Sequence, residues 1–468
     1  MSQLKRIHLI GIGGAGMSAI AWVLLEKGIH VSGSDIRPNP RTRRLEKKGA
    51  LLFYGHSPDN LENTGLVIRS TAIRDDNPEI LKAKQLRIPV WHRSRMLAEF
   101  LDEGEGITIA GTHGKTTTTA MAAQVLKNAG FDPTVLIGSD LPSWNGNARL
   151  GNGRYVVAEA DESDGSFLEY KPRYTIITNI EAEHLDHYKT EEGVRDAFRT
   201  FLFQVKPDGC AILCADDPGV RSILVEKPSC GIRYYSLNSS QFDYSAGEIS
   251  LMPRSVAFNV RFMGKNLGRI RMPVPGLHNI SNALATVALG HLLGINFFSL
   301  RDALEEFRGT HRRFQYKGEQ QDVLVFDDYA HHPTEIMATL KAAIPLREKR
   351  GGRLVTIFQP HRYSRTRDLA DRFAKAFRDS DLLIVSDVYP AGEEAISGVS
   401  GKLIADNVEP GRGTEVIYIP RLEDIDEELP RMVLPGDVVI TMGAGDVWKV
   451  GERLLCNLKE RSPETATI

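Results

Sequence analysis

Residues 110–120 read Ala-Gly-Thr-His-Gly-Lys-Thr-Thr-Thr-Thr-Ala, and this stretch decides how the middle of the chain folds. The β-branched run Ile107–Ile109 before it predicts a short buried strand. Met121–Asn128 after it is helix-forming and is followed by Gly130. A strand, a glycine turn, a lysine with a hydroxyl and then a helix predict a phosphate-binding loop. The consensus is imperfect, because Ile109 stands where the usual motif has its first glycine.

The residue types of this loop suit a polyphosphate. Gly111 and Gly114 let the backbone approach phosphates, and the helix that follows directs N–H groups at them. Lys115 supplies a positive charge for the β- and γ-phosphates, and the Thr116 hydroxyl suits Mg²⁺. The sequence therefore predicts an ATP site. The alternative is a glycine turn that merely opens a core helix.

Length and composition are those of an ordinary soluble globular protein. At about 150 residues per domain, the 468 residues predict three domains. With 60 acidic and 58 basic residues the formal net charge is −2, which gives no electrostatic argument for a nucleic-acid or membrane partner. Four cysteines in so long a chain do not form a disulfide framework, and they favour buried thiols in a reducing, cytoplasmic setting. The N-terminal apolar run breaks into glycines, unlike a signal peptide.

One stretch without Asp, Glu, Lys or Arg, Met272–Leu300, is long enough to span a bilayer. It carries prolines, asparagines and glycines, and its helical part, about Ile280–Leu293, is too short to span. We therefore predict a core helix. Asn279 and Asn282 lie where this helix starts, and they serve either as an N-cap or as polar groups facing a nucleotide.

The N-terminal segment predicts a β-α-β unit. Ile7–Ile10 is a strand, Gly11–Gly16 fits G-x-G-x-x-G, Met17–Lys27 is a helix, and a second strand, Ile29–Ser34, ends at Asp35. By spacing this is a dinucleotide fingerprint, with Asp35 placed to hold a ribose hydroxyl. The loop recognises a diphosphate rather than a nicotinamide, so any nucleotide diphosphate would suit it, and NAD binding remains an alternative.

Acidic residues follow two strands of the central segment, which a linker at Asp102–Gly106 is expected to separate from the first. Tyr155–Ala158 runs into Glu159–Asp164, and Tyr174–Thr178 runs into a loop that ends in Glu-His-Leu-Asp. Loops at the carboxyl ends of parallel strands line the ligand crevice. Carboxylates with a neutral imidazole can hold Mg²⁺ there, although a single acid is more often a solvated loop residue.

From about residue 311 the strand–helix alternation repeats, and each of its main strands ends in a polar or glycine-rich loop. The basic group His361, Arg362, Arg365 and Arg367 suits a carboxylate or a phosphate. The chain offers no G-x-S-x-G and no cysteine beside a candidate base, so we expect the phosphoryl group to pass from ATP directly to a substrate group. A kinase, an ATPase and a ligase that forms an acyl phosphate stay open at this point. The predicted strands are Val323–Phe326, Leu354–Phe358, Leu382–Ser386 and Val438–Met442.

These motifs resemble those of the Mur ligases, the three-domain, ATP-dependent ligases of peptidoglycan synthesis. The resemblance runs from Gly11 to Asp446. It implies an α/β fold with a Rossmann-like domain at 1–103 for the UDP-substrate, a central P-loop ATPase-like domain with a mostly parallel sheet at 104–311, and a C-terminal Rossmann-like domain at 312–468 that binds the amino acid and closes over ATP. The motifs are G-I-G-G-A-G-M at 11–17, A-G-T-H-G-K-T-T-T-T at 110–119, E-A-D-E-S-D at 159–164, D-D-Y-A-H-H-P at 327–333 and F-Q-P-H-R-Y-S-R-T-R-D at 358–368.

Within the family the motifs look most like those of enzymes that join L-alanine to the lactyl carboxylate of UDP-N-acetylmuramate through an acyl phosphate. That implies ATP and Mg²⁺, a cytoplasmic location, and a monomer or weak homodimer. The alternative is a recycling ligase that adds a peptide to the same nucleotide. The two are expected to differ in the F-Q-P-H-R stretch, where the incoming amino acid sits.

The resemblance also implies roles for single residues. Those implied as catalytic are Lys115, His184, Arg313, His361 and Arg362. Those for ATP are Gly111, Thr112, His113, Gly114, Lys115, Thr116, Thr117, Asn279, Asn282, Arg313 and Asp328. Those for the UDP-substrate are Gly11, Gly13, Gly14, Ala15, Gly16 and Asp35. Those for the amino acid are Tyr329, His331, His361, Arg362 and Arg365, and those for the metal are Thr116, Glu159 and His184.

The chain departs from the family pattern at two positions. Glu183 precedes the histidine where the family commonly has Asp. Several members carry a carbamylated lysine about fifteen residues after that histidine, and here Arg199 stands at that distance, which argues against a carbamate.

Overall fold

The structure, a computed structural model, describes residues 6–141, 144, 146–409, 411 and 413–460. The chain forms two compact units. The first comprises residues up to 248, 258–270 and 281–310, and the second comprises 249–257, 271–280 and the chain from 311 onwards. The outer limits of the predicted domains, residues 1 and 468, lie outside the described residues.

The first sheet, in the first unit, has five parallel strands in the order β3-β2-β1-β4-β5. β1 is buried along its whole length, as expected of a parallel sheet covered on both faces. The predicted β-α-β unit is therefore confirmed. The strands are β1 Ile7–Ile10, β2 Val31–Asp35, β3 Leu51–Tyr54, β4 Leu66–Arg69 and β5 Val90–His92. The helices are α1 Ala15–Glu26, α2 Pro40–Lys48, α3 Pro78–Gln85 and α4 Arg93–Glu103.

The second sheet is built around the strand that precedes the phosphate-binding loop. This strand, β6 Glu105–Ala110, lies between β10 and β9, and all three are parallel. The strand order is β15-β14-β13-β12-β11-β10-β6-β9-β7-β8. The other strands are β7 Thr134–Leu141, β8 Gly146–Arg149, β9 Tyr155–Glu159, β10 Tyr174–Ile177, β11 Cys210–Cys214, β12 Gly231–Ser236, β13 Tyr244–Met252, β14 Ser255–Phe262 and β15 Lys265–Met272. The helices are α5 Lys115–Asn128, α6 Leu185–Tyr188, α7 Glu191–Phe203, α8 Pro218–Ser222, α9 Leu277–Leu292 and α10 Phe297–Glu305.

One local prediction was wrong. Asp102–Gly106 is not a linker, because α4 continues to Glu103 and β6 begins at Glu105, whose N–H donates to the Arg154 carbonyl at 2.7 Å. Sheet pairing with β9 outweighs the acidic, glycine-bearing composition. Of the two alternatives for Asn279 and Asn282, the N-cap is excluded, because α9 begins earlier, at Leu277.

The prediction of a core helix in the charge-free stretch is confirmed. α9 has only 16 residues, and its apolar side chains from Ile280 to Leu289 are buried. Among the described residues no helix combines the length and the apolar character needed to cross a membrane.

The third sheet, in the second unit, has the order β16-β17-β21-β18-β19-β20. Only β16 is antiparallel to its neighbour. With mostly parallel sheets and covering helices, the predicted three-domain α/β fold class is confirmed. The strands are β16 Gln315–Gln320, β17 Val323–Asp328, β18 Leu354–Phe358, β19 Leu382–Val385, β20 Glu415–Tyr418 and β21 Val438–Met442. The helices are α11 Pro333–Arg350, α12 Tyr363–Asp368, α13 Ala370–Ala374, α14 Gly401–Asn407, α15 Leu422–Met432 and α16 Trp448–Glu460.

Candidate functional site

The predicted strand–turn–helix is present between β6 and α5. Gly111 and Gly114 have φ of +128° and +83°, a region that favours glycine. A Cβ on Gly111 would lie 2.1 Å from Oγ1 of Thr178, so a side chain cannot be accommodated there. Lys115 is the first residue of α5, so the helix starts six residues before Met121, the first residue of the predicted helix-forming segment.

The end of the neighbouring strand β10 holds this loop in shape. The Thr178 hydroxyl donates to the His113 carbonyl at 2.7 Å. The His113 N–H donates to Oδ1 of Asn179 at 2.8 Å, and the Thr112 N–H donates to the Asn179 carbonyl at 3.0 Å. The loop is therefore pre-organised by the protein itself, which lowers the cost of ordering it around a ligand.

The ammonium of Lys115 is held by a buried carboxylate. Its Nζ lies 2.7 and 3.0 Å from the two oxygens of Glu162, and it also donates to the Gly111 carbonyl at 2.6 Å. Burial alone would lower the pKa of Lys115, but Glu162 and Asp161 outweigh it and raise the pKa. Lys115 therefore carries its positive charge at the start of α5.

The residues predicted to hold a metal fall into two neighbouring groups. The Thr116 hydroxyl donates to Glu159 at 3.3 Å, and the Gly138 N–H donates to the same carboxylate at 2.8 Å. His184 lies instead with Glu162 and Glu183, and one ligand atom from each of these three lies within 4.8 Å of the others. Burial raises the pKa of Glu162 to about 7.

The four acids of Glu159–Asp164 do not act as one cluster. Glu159 and Glu162 face the phosphate-binding loop, as described above. Asp161 and Asp164 face Arg93, the first residue of α4, whose Nη2 lies 2.9 Å from Asp161 and 3.7 Å from Asp164. Asp164 also accepts a hydrogen bond from the Thr71 hydroxyl. The first sheet and the second sheet are therefore linked through this strand-end segment.

The glycine loop of the first sheet is shaped by Asp35. Its Oδ2 accepts from the Gly13 N–H at 2.8 Å, and its Oδ1 accepts from the Ile36 N–H at 2.8 Å. Gly11 has φ of +77°, and Asn39 donates to the Gly13 carbonyl at 3.3 Å. Asp35 therefore orders the backbone of the loop, whereas its spacing predicted that it would hold a ribose hydroxyl.

The two asparagines of α9 have different surroundings. Oδ1 of Asn282 would be 2.9 Å from a Cβ placed on Gly114, so its amide lies against the phosphate-binding loop. Asn279, in the second unit, donates through Nδ2 to the Pro275 carbonyl at 2.7 Å. Of the two, Asn282 is the one that the structure brings to the loop.

In the second unit, Asp328 closes the end of β17. It accepts from the Phe314 N–H at 2.8 Å and from the Ala330 N–H at 2.7 Å. Burial raises its pKa to about 6, against the effect of Arg313. Arg313 lies 3.5 Å from Glu335 on α11. Asp328 thus fixes the backbone on both sides of the strand end.

The residues predicted to surround the amino acid do lie together. The rings of Tyr329 and His331 have centroids 5.3 Å apart, and those of His331 and His361 are 6.0 Å apart. Nη1 of Arg365 contacts Nδ1 of His361 at 3.4 Å. Burial first, and then His331 and the arginines, lower the pKa of His361 to about 3. His361 is therefore neutral and accepts a hydrogen bond from Arg365.

From the sequence, no individual role was predicted for three residues of these sites. Glu162 pairs with Lys115, as above. The Tyr389 ring stacks on His361, with centroids 5.5 Å apart and planes 7° apart, and its carbonyl accepts from the Arg362 N–H at 2.9 Å. Glu393 lies 3.8 Å from Nε of Arg362. All three stand in strand-end loops, which is the signal that could have found them.

Three family descriptions match the chain in consecutive segments. "Mur ligase family, catalytic domain" matches residues 6–104, "Mur ligase middle domain" matches 109–290, and "Mur ligase, glutamate ligase domain" matches 312–445. Together they cover most of the described chain.

Relatives and solved structures are similar over nearly the full length. A UDP-N-acetylmuramate–L-alanine ligase from Pelotomaculum thermopropionicum is 47% identical over 462 residues, which cover 98% of this chain and 99% of the relative. The structure of a UDP-N-acetylmuramate–alanine ligase from Thermotoga maritima is 35% identical, with a TM-score of 0.82 and coverage of 98% and 100%. That of a murein peptide ligase from Psychrobacter arcticus is 27% identical, with a TM-score of 0.71 and coverage of 97% and 98%.

Proposed function

The chain belongs to the Mur ligase family, and from that premise we propose that it ligates L-alanine to the lactyl carboxylate of UDP-N-acetylmuramate, using ATP and giving ADP and phosphate. The observation that carries the proposal is the 47% identity, over 98% of the chain, to a relative named for this activity. The sites at the strand ends supply chemistry of the right kind for each of the three substrates.

ATP is proposed to bind on the loop before α5. Gly111 and Gly114 have positive φ, and a Cβ there would meet Thr178 and Asn282, so the turn needs glycine. Helix α5 begins directly after this turn, and its N-terminus suits a phosphate. The proposed set also includes Asn279, Asn282, Arg313 and Asp328. The loop residues proposed for the phosphates are Gly111, Thr112, His113, Gly114, Lys115, Thr116 and Thr117.

Mg²⁺ is proposed to lie beside these phosphates, held by Thr116, Glu159 and His184. The donors fit a hard cation, because the Thr116 hydroxyl lies by the Glu159 carboxylate and the His184 imidazole lies by two further carboxylates. Glu162 and Glu183 extend the donor set, since they lie with His184. When bound, the ion neutralises negative charge on the transferring phosphoryl group.

The UDP diphosphate is proposed to bind at the N-terminus of α1, on Gly11, Gly13, Gly14, Ala15 and Gly16, with Asp35 keeping the loop in shape. The helix N-terminus favours an anion, and the glycines allow close approach. The three segments 1–103, 104–311 and 312–468 are proposed as the domains for the UDP-substrate, for ATP and for the amino acid.

The reaction needs no nucleophile from the protein. An oxygen of the lactyl carboxylate attacks the γ-phosphorus of ATP, the bond to the β,γ-bridging oxygen breaks, and ADP leaves. The neutral amine of L-alanine then attacks the acyl carbon, and the tetrahedral intermediate expels phosphate while the amine loses a proton to solvent. The protein positions these groups and offsets their charge, with Lys115 and Arg313 as cations for the phosphoryl group.

L-Alanine is proposed to bind among Tyr329, His331, His361, Arg362 and Arg365. The arginines suit its carboxylate. His361 accepts a hydrogen bond from Arg365 and so orients that guanidinium, and burial with the neighbouring cations lowers the pKa of His361 to about 3.

The recycling reaction, with a peptide in place of alanine, is less well supported, because the murein peptide ligase structure is 27% identical and the alanine ligase structure is 35% identical. We propose a monomer or weak homodimer. The deciding experiment measures phosphate release with ATP, Mg²⁺ and UDP-N-acetylmuramate, while each amino acid or a free tripeptide is offered in turn. Release that depends on alanine supports the proposal, and release only with the tripeptide reverses it.

A further inference from the structure

Arg93 connects the glycine loop of the first sheet with the loop after β9. Its Nη2 lies 2.9 Å from Oδ2 of Asp161. Its other terminal nitrogen, Nη1, lies against the glycine loop, because a Cβ added to Gly16 would be only 3.2 Å from it. One guanidinium therefore lies against the glycine loop while it is ion-paired to the strand-end segment whose Glu162 pairs with Lys115. All of these residues belong to the first unit.

Asp161 connects this guanidinium with the phosphate-binding loop in turn. Glu162, the next residue along the chain, holds Nζ of Lys115 at 2.7 Å, so the carboxylates that pair with Arg93 and with Lys115 are adjacent on one strand-end segment. Arg93 and Lys115 both favour the charged form of the Asp161 carboxylate. Any ligand that adds negative charge at Lys115 changes the field at the carboxylate that holds Arg93.

Further contacts surround this pair and reach the start of α1. Asp164 lies 3.7 Å from Arg93 and 3.8 Å from His92, which precedes it. From the other side, Nδ2 of Asn147 on β8 donates to the Ala15 carbonyl at 2.7 Å. The first turn of α1 is thus held by groups from the second sheet.

We propose that Arg93 and Asp161 form a positioning pair that couples occupancy of the Gly11–Gly16 loop to occupancy of the Lys115 loop. The proposal rests on the proposed function, because it takes UDP-N-acetylmuramate and ATP as the two ligands. Phosphates at Lys115 offset part of the attraction between Lys115 and Asp161. Asp161 then binds Arg93 more firmly and so fixes the guanidinium against Gly16. The diphosphate meets a loop already ordered, and by linkage each ligand strengthens the binding of the other.

Titration calorimetry tests the coupling directly. The Kd of UDP-N-acetylmuramate is measured with and without Mg²⁺ and AMP-PNP, a non-hydrolysable ATP analogue. The wild type should bind UDP-N-acetylmuramate at least about fivefold more tightly when the analogue is present, and the quotient of the two Kd values is the coupling ratio. Arg93→Gln and Asp161→Asn should each bring this ratio close to one, and the double variant should be no worse than either single variant. Arg93→Lys keeps the charge without the planar fork and should restore part of the ratio.

A matched control comes from the other end of α4. Lys206 lies 3.4 Å from Asp102, so Lys206→Gln also removes an ion pair of this helix, at the end opposite Arg93. It should leave the coupling ratio unchanged. In steady-state assays Arg93→Gln should raise KM for UDP-N-acetylmuramate while kcat at saturation changes little, a split that a general loss of folding does not give.

The binding measurements distinguish failure of the coupling from failure of the proposed function. A wild type that binds neither ligand removes the proposed function and the pair's role with it. A wild type that binds both ligands independently, or variants that keep the wild-type ratio, overturn the coupling alone. If the variants do not fold, hydrogen exchange on the wild type still decides: Mg²⁺ with AMP-PNP alone should slow exchange in the peptide that begins at Gly11, and unchanged exchange there overturns the proposal.

Discussion

Substitution of His361 separates two roles for this residue, orientation of Arg365 and general-base catalysis. A hydrogen bond to a charged group contributes about 1.5–3 kcal/mol, and the 3.4 Å contact with Arg365 favours the lower end. His361→Ala should therefore raise KM for alanine about tenfold. His361→Gln offers a carbonyl oxygen as a new acceptor and should stay close to the wild type. Alanine-dependent phosphate release at saturating ATP and UDP-N-acetylmuramate measures both.

The pH dependence of these variants gives the refuting result. With a pKa of about 3, His361 is neutral throughout the neutral range and contributes no ionisation to kcat/KM for alanine there. Wild type and His361→Gln should share one profile between about pH 6 and 9. An acid limb in the wild type that disappears in His361→Gln, together with a large fall in kcat, would show that His361 does accept a proton.

The same residue makes the free energy of unfolding sensitive to acid. The unfolded histidine has its ordinary pKa near 6.5, whereas the folded one has a pKa of about 3, so between these values the unfolded chain binds the extra proton. Stability therefore falls as the pH drops below about 6.5, by about 2 kcal/mol at pH 5. Urea unfolding at pH 7 and 5 should show a smaller loss for His361→Gln, whereas the exposed control His311→Gln should behave as the wild type.

Three further predictions concern the first unit. Lys115→Met should lower ATP-dependent phosphate release at least about a hundredfold, whereas Lys127→Met, in the last turn of the same helix, should not. Gly111→Ala should abolish ATP binding in calorimetry, because its φ and the missing space both exclude a Cβ; Gly130→Ala, with nothing within 4 Å of the added Cβ, should cost only about 1 kcal/mol of unfolding free energy. Glu183→Gln should raise the Mg²⁺ concentration for half-maximal activity about tenfold, because it removes a carboxylate beside His184. Unchanged Mg²⁺ dependence would place the ion elsewhere.

The elements that set the fold were predictable because hydrophobic runs and glycine turns are local signals. Val438–Met442 is predicted and observed with identical bounds, and the strand, turn and helix around Lys115 also follow from the sequence. The prediction of a linker at Asp102–Gly106 was wrong because strand pairing there depends on residues distant in sequence. Glu105 and Gly106 pair with Tyr155 and Val156, about fifty residues away, and nothing in their own composition indicates that pairing.

The sequence predicted which loops form the candidate sites, but not which side chains contact each other within them. Parallel strands put their carboxyl ends at one edge, so the grouping of Tyr329, His331 and His361 followed from the topology. Which way each side chain points depends on the backbone of the loop and on neighbours distant in sequence. The sequence therefore did not indicate that Glu162 pairs with Lys115, or that Asp161 turns away to Arg93.

The direction of these side chains produces a series of alternating charges across the first unit. Arg93 contacts Asp161, Asp161 lies in the field of Lys115, and Lys115 contacts Glu162, whose carboxylate is 3.9 Å from His184. Arg93 and Lys115 lower the pKa of Asp161, whereas burial raises the pKa of Glu162 to about 7, so removing one member changes the charge balance of the next. Single substitutions along this series should therefore not add, and kinetic losses assigned to one residue will include the response of the others. Double-variant cycles that run from Arg93 to His184 are the measurement that separates binding of the two nucleotides from transfer between them.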